Sequence, residues 1–174
     1  MARAFLGLGA NVGNRAANLR LALRWLAPQC RVEAVSSLYR SAAVVPEGAA
    51  PGPDYLNAAC AVTTALIPRD LLRFVKDVEQ RIGRRPAPRW APRPIDVDIL
   101  LCDGQIIDEA DFAVPHPLLA ERAFVLAPLA EIAGDEVHPV LGRTVRELAG
   151  GIDMMSVERV AGSEWADDKG GTPR

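Results

Sequence analysis

The chain has 174 residues, 49% of them hydrophobic and 24% charged, which is enough to bury one core without disulfide or metal staples. A formal net charge of −2 excludes an overall attraction to nucleic acid or an anionic membrane, and no run approaches the roughly 18 uninterrupted apolar residues of a membrane span. Cys30, Cys60 and Cys102 lack metal-ligand spacing, and "MARAFLGLGANVGN" lacks the apolar core of a signal peptide, so the sequence predicts a cytoplasmic protein with reduced thiols.

Residues 3–9 alternate briefly and run into "GLGANVGN", which reads as a strand entering a glycine-rich loop. Asn14 is placed to cap a helix in which Ala16, Leu19, Leu23 and Leu26 recur at helical spacing before Pro28. A second strand is predicted over 31–40, then a Pro/Gly-rich loop, then a third strand over "YLNAACAVTT", 55–64, with Tyr55 and Asn57 on one face. Pro68 suits a first helical position, and Leu71, Val75, Val78 and Ile82 form an apolar stripe that ends at Gly83. Another strand, "PIDVDILL", follows. The order strand, helix, strand, strand, helix, strand predicts an α+β domain with the ferredoxin-like βαββαβ antiparallel sheet and both helices on one face. Residues 114–149 read as a helical, proline-punctuated C-terminal extension, with a single domain over 1–160 and a disordered tail over 161–174.

The chemistry concentrates around that last strand. Side chains at i and i+2 share a face, so Asp96 and Asp98 stand side by side while Ile95, Val97 and Ile99 point the other way. Adjacent carboxylates repel, and the pair needs a shared proton, a cation or arginines. Arg81, Arg84, Arg85, Arg89 and Arg93 all fall in the 13 residues 81–93, and four prolines between 84 and 94 deny that segment regular hydrogen bonding. Paired carboxylates suit Mg²⁺, which keeps water and phosphate oxygens as its other ligands, and arginine suits phosphate, so the cluster suggests phosphoryl transfer; a surface salt-bridge cluster is the plain alternative. "GLGANVG" lacks both a Walker lysine and GxGxxG spacing, so turn formation is its default reading. His116 could meet a ligand or hold its own turn, and Tyr55 with Asn57 could present a ring and an amide to a planar heterocycle or serve as ordinary sheet residues.

Five segments taken together resemble the 6-hydroxymethyl-7,8-dihydropterin pyrophosphokinase family: "LGLGANVGNRAANL", "SSLYRSA", "PDYLNAACAV", "RWAPRPIDVDILL" and "VPHPLLAERAFVLAPLAEI". The resemblance covers roughly residues 3–145. It implies transfer of the β,γ-diphosphate of the co-substrate ATP to the hydroxymethyl group of a reduced pterin, with AMP released, as a step of folate biosynthesis. By position it makes Asp96 and Asp98 the ligands of two Mg²⁺ ions, and Arg84, Arg89 and Arg93 the catalytic arginines, with Arg89 and Trp90 on a closing loop. Asn11, Ser41, Ala42, Val44, Tyr55, Asn57, Trp90 and Phe124 fall on pterin positions; Glu79, Ile99, His116 and Arg122 fall on nucleotide positions. It further implies a monomer acting on small molecules, without nucleic acid or membrane. Pro86, Asp111, Ala113 and Lys76 depart from the family pattern on the nucleotide side. An RNA-recognition module shares the βαββαβ order, but with only 5% aromatics the chain lacks the aromatic runs such a module stacks bases on.

Overall fold

A computed structural model describes residues 1–167 and is built on an antiparallel sheet of six strands. β1 (Ala2–Ala10) is central, flanked by β5 (Asp96–Cys102) and β4 (Tyr55–Thr64); β4 also pairs with β2 (Cys30–Val35) and β3 (Leu38–Ser41), and β8 (Val157–Ala161) adds an edge against β3. Two helices, α1 (Arg15–Leu26) and α2 (Pro68–Ile82), complete the predicted βαββαβ order. The local signals act as expected. Ala17 N–H donates to the Asn14 side chain at 3.1 Å, Pro68 opens α2, and Gly83 ends it at φ 114°, a left-handed conformation that glycine adopts without strain.

Leu19 and Leu26 of α1 and Leu71, Val75 and Val78 of α2 bury against Leu6, Leu8, Val97 and Ile99 on one sheet face. Each such side chain contributes about 1.5–3 kcal/mol on full burial. The extension covers part of the opposite face. After a hairpin of β6 (Ile107–Glu109) and β7 (Phe112–Val114) come α3 (Ala123–Ala133) and α4 (Val145–Gly150), whose Leu126, Leu129 and Leu148 pack on Phe5, Ala59 and Ala61. Covered on both sides, β4 reads as a near-continuous buried run rather than an alternating one. The part of this face that α3 leaves bare holds the site described below.

Two expectations need correction. The strand expected over 31–40 is two strands, broken at Ser36 and Ser37. Ser36 Oγ accepts the Ala59 N–H at 2.8 Å and donates to Ser37 O at 2.7 Å, so a serine hydroxyl replaces the backbone in the ladder and bends the chain. That frees Ser36 O to accept the Trp165 indole N–H at 2.8 Å. The tail expected to be disordered from 161 onward is ordered through its first part: 161 ends β8, and a 3₁₀ turn (Ser163–Ala166) seats Trp165 in the helix-side core at 7% exposure. One buried tryptophan with its N–H satisfied outweighs the polar, glycine-rich composition around it. The rest of the expected tail, 168–174, lies outside the described residues. Trp165→Ala is expected to destabilise the protein by about 3–5 kcal/mol, the usual loss for a large aromatic deleted from a core, measurable by urea denaturation; an unchanged midpoint would restore the tail reading.

Candidate active site

On the bare part of the sheet lies a cavity of about 410 Å³, floored by β1, β4 and β5 and walled by the arginine loop, the 41–52 loop and the start of α3. Alternation along β5 turns Asp96 and Asp98 into it, opposite Gly9 and Gly7 of β1. The two carboxylates are not equivalent. Asp96 Oδ1 receives Arg84 Nη1–H at 2.6 Å, and Asp96 Oδ2 receives Arg93 Nη1–H at 3.3 Å. Asp98 makes no hydrogen bond or ion pair among the described residues. Burial works to raise the Asp96 carboxyl, but Arg84, Arg93 and Lys76 outweigh it and hold it below the usual carboxylate range. Burial and the adjacent Asp96 charge push Asp98 up, against weaker opposition from His116, Lys76 and Arg122. The repelling pair is thus resolved asymmetrically, both carboxylates desolvated but only Asp96 held ionised by arginines.

Arg84 is positioned from below by Glu79, which is 3% exposed. Glu79 Oε1 accepts Val97 N–H at 2.8 Å and Lys76 Nζ–H at 3.1 Å and lies 2.9 Å from Arg84 Nη1. A carboxylate on the last turns of α2 therefore ties that helix to β5 and aims Arg84 at Asp96. Burial raises the Glu79 pKa, with Lys76, the Val97 N–H and Arg84 opposing.

The opposite end of the cavity is less charged. Asn57 is buried and its Nδ2–H donates to Ser41 Oγ at 2.8 Å, which fixes the amide orientation and leaves Oδ1 beside the cavity. Tyr55, Ala42, Val44 and Phe124 complete an apolar slot, with Trp90 at its mouth under the Arg89 guanidinium, 4.8 Å from the ring centre. Asn11 clamps the loops: its Oδ1 accepts Arg93 N–H at 2.7 Å, its N–H donates to Arg93 O at 3.0 Å, and its Nδ2–H donates to Pro53 O at 3.2 Å. His116 Nδ1 accepts Leu118 N–H at 3.2 Å, so the neutral ring carries its proton on Nε2. Burial lowers the His116 pKa, against the opposing pull of Asp98, which keeps the ring neutral near pH 7.

A slot with a fixed amide at one end and paired carboxylates with arginines at the other suits a planar polar ring beside phosphates. Residues 5–134 match the family model for 7,8-dihydro-6-hydroxymethylpterin-pyrophosphokinase. The chain belongs to that family. It is 44% identical over 162 residues to a 2-amino-4-hydroxy-6-hydroxymethyldihydropteridine pyrophosphokinase of Methylorubrum extorquens, covering 92% of this chain and 99% of that one. With the enzyme of the same name from Synechocystis sp. it shares 39% over 160 residues, 91% of this chain and 80% of the other. Its fold matches the wild-type Plasmodium falciparum HPPK-DHPS crystal structure with a TM-score of 0.70 at 16% identity, over 91% of this chain; the chain spans 47% of that longer protein.

Of the residues the family pattern selects, fourteen line the one cavity: Asn11, Ser41, Ala42, Val44, Tyr55, Asn57, Arg89, Trp90, Arg93, Asp96, Asp98, His116, Arg122 and Phe124. Three do not. Arg84 stands behind Asp96, and Glu79 stands behind Arg84. The Ile99 side chain is 4% exposed in the helix-side core, so only its backbone is available to a ligand. Sequence reasoning missed Gly7 and Gly9, whose default reading was a turn; both lie in mid-strand on the cavity floor, and of the motif's glycines only Gly13, at φ 74°, is in a left-handed turn. The signal was available, because Leu6, Leu8 and Ala10 alternate with them. Lys76, noted only as a departure, bonds Glu79, helps lower the Asp96 pKa and opposes the rise of the Asp98 one.

Proposed function

We propose that this cavity transfers the β,γ-diphosphate of ATP to the hydroxymethyl oxygen of 6-hydroxymethyl-7,8-dihydropterin, releasing AMP, with the pterin ring in the Asn57 slot and the phosphates over Asp96 and Asp98. Family membership supports the reaction, and the single observation that carries the placement is the shared floor: Asn57 and Asp96 both register on Gly9, one from each side. The pterin's ring nitrogens and carbonyl match an amide already oriented by Ser41, and its faces match Tyr55 and Phe124.

The donor set fits Mg²⁺. Among the described residues no group of three or more His, Cys, Asp or Glu side chains converges, so the protein offers two carboxylates and leaves the remaining positions to phosphate and water oxygens, as a small hard cation prefers. Asp96 and Asp98 would hold two Mg²⁺ ions, which when bound neutralise phosphate charge and polarise the phosphorus under attack. The chain's own residues do the rest. Arg93, resting on Asp96 through one N–H, is poised to turn another N–H group to phosphate oxygens as charge builds there, and Arg84 behind Asp96 backs that carboxylate with its positive charge. His116, neutral with Nε2–H, donates to an oxygen without adding a full charge. Arg122, at the entrance of α3, supplies a cation beside it. The substrate hydroxyl attacks phosphorus directly, so no covalent enzyme intermediate is needed. Release of AMP from ATP that depends on both the reduced hydroxymethylpterin and Mg²⁺ tests this reading; its absence would leave a family member without the activity.

Asn57→Ala is expected to weaken pterin binding by up to about a hundredfold while leaving binding of a non-hydrolysable ATP analogue nearly unchanged, because unpaired buried polar groups cost about 1–3 kcal/mol. Calorimetry of pterin with the analogue and Mg²⁺ present reads the difference, and unchanged pterin affinity would sink the placement.

A further inference from the structure

β1 carries glycine at alternate positions, Gly7 and Gly9, in the interior of a strand, where glycine forfeits backbone entropy and packs nothing. Neither has a positive φ, so the local backbone is one that any residue adopts. Leu6, Leu8 and Ala10 are buried on the helix side, and both glycines therefore face the cavity. The register sets Gly9 between Asn57 of β4 and Asp96 of β5, and Gly7 between Ala59 and Asp98. What covers them differs. A Cβ on Gly7 would lie 3.4 Å from both terminal carbons of Leu100, so a side chain of the protein already roofs that position. A Cβ on Gly9 would meet only the slot's own walls, Asn57 Oδ1 and Tyr55 Cδ1, each at 3.5 Å, which is ordinary van der Waals contact. Backbone and packing both permit a side chain at position 9. The space above it is part of the cavity.

We propose that Gly9 is a specificity-determining residue, the bare crossing over which the substrate's hydroxymethyl arm passes from the ring at Asn57 to the phosphates at Asp96. The proposal rests on the placement of pterin and phosphate argued above. Adjacent strands lie about 4.8 Å apart, so Asn57 and Asp96, one strand to either side of β1, stand roughly 10 Å apart across the sheet. A flat ring bonded at one side must extend its reacting oxygen over β1 and stay low enough to meet phosphorus in line. A methyl group standing on position 9 lifts the ring from Asn57 or the arm from the phosphates. The same strip makes the enzyme select a heterocycle that is planar and unsubstituted on the edge that overlies β1.

Gly9→Ala and Gly9→Val separate this from a structural role. Each variant is compared with the natural chain by thermal melting, by calorimetry with Mg²⁺ and a non-hydrolysable ATP analogue, by pterin titration with the analogue present, and by steady-state turnover. Gly9→Ala is expected to melt at the same or a higher temperature and to bind the analogue within about twofold. Its pterin affinity should fall at least tenfold, with KM for pterin rising in parallel, and Gly9→Val should bind no pterin. Pterin affinity unchanged in Gly9→Ala overturns the proposal. A parallel fall in analogue and pterin binding overturns it as well, since that marks a distorted sheet. Failure of Gly9→Ala to fold would do the same, because the space argument requires tolerance. If the natural chain binds pterin but releases no AMP, the activity reading fails while the Gly9 result still stands or falls on affinity.

Discussion

Asp98→Asn should abolish turnover and at the same time raise the melting temperature of the metal-free protein. The sequence alone suggests a symmetrical pair in which removing either carboxylate relieves repulsion. The structure breaks that symmetry, since both oxygens of Asp96 receive arginine N–H groups and Asp98 receives none among the described residues. Asp98 has its pKa raised by burial and by Asp96. A raised carboxyl favours its protonated form in the folded state, so its charge opposes folding once pH exceeds the unfolded value, and the penalty grows until pH passes the folded one. The Asp98→Asn protein should therefore gain most at neutral pH, with the advantage shrinking on acidification. Asp96 runs the other way. Its pKa is lowered because, despite burial, Arg84, Arg93 and Lys76 prevail, so it stabilises the fold above the ordinary carboxylate range and that contribution fades as pH falls. Asp96→Asn should then lose activity and also about 1–3 kcal/mol of metal-free stability near pH 7, because one of the two arginines meets an amide NH₂ in place of its acceptor oxygen and both lose the negative charge they share. Melting curves of both variants from pH 4 to 8 in chelator decide it. Equal shifts of the same sign would show that the arginines do not distinguish the two.

Arg93→Ala should lower the chemical step by about 10³-fold or more, the scale on which arginines stabilise phosphoryl transfer. Its location separates it from Arg89. Arg93 is pinned through its backbone to Asn11 and through its side chain to Asp96, whereas Arg89 and Trp90 are exposed on a stretch with no helix or strand. Arg93 Nη2–H also donates to Arg89 O at 2.9 Å, so residues 85–92 are expected to swing about Arg93 only as that bond gives way, and closure over ligands would shield the phosphates from water. Arg89→Ala should accordingly slow closure or product release more than chemistry, a difference that single-turnover and steady-state rates resolve. With Trp25 and Trp165 replaced by Phe, Trp90 emission and quencher access should change when Mg²⁺, an ATP analogue and pterin bind together. Identical emission with and without ligands would leave the loop rigid and its arginines preplaced.

Much of this was legible because the carrying patterns are local. Helix α2 announces itself through Pro68, an apolar stripe and Gly83, and Asp96 and Asp98 declare a shared face by strand period alone. The family segments then select residues of which fourteen line one cavity. Unread features depend on contacts between distant parts of the chain. Ser36 breaks a strand through its hydroxyl's bond to Ala59, and Glu79 becomes an anchor only because Val97 N–H lies above it. Asn11 reads only as a residue on a pterin position until its three bonds to Arg93 and Pro53 show it holding two loops together. Composition misled at Trp165, where a single side chain outvotes its polar neighbours.

Closure of the sheet by β8 bears on how the chain is made. β3 depends for its outer edge on residues 157–161, and Ser36 O on the Trp165 indole, so segments synthesised early wait for residues 157–165 to leave the ribosome. Until then β3 exposes a row of unpaired N–H and C=O groups, an edge able to recruit strands from neighbouring nascent chains. Stop codons or proteolytic cuts before residue 157 should consequently yield aggregates rather than a shortened enzyme, even though every cavity residue is already present. Fusion partners and purification tags should be joined so that residues 157–161 can still pair with β3.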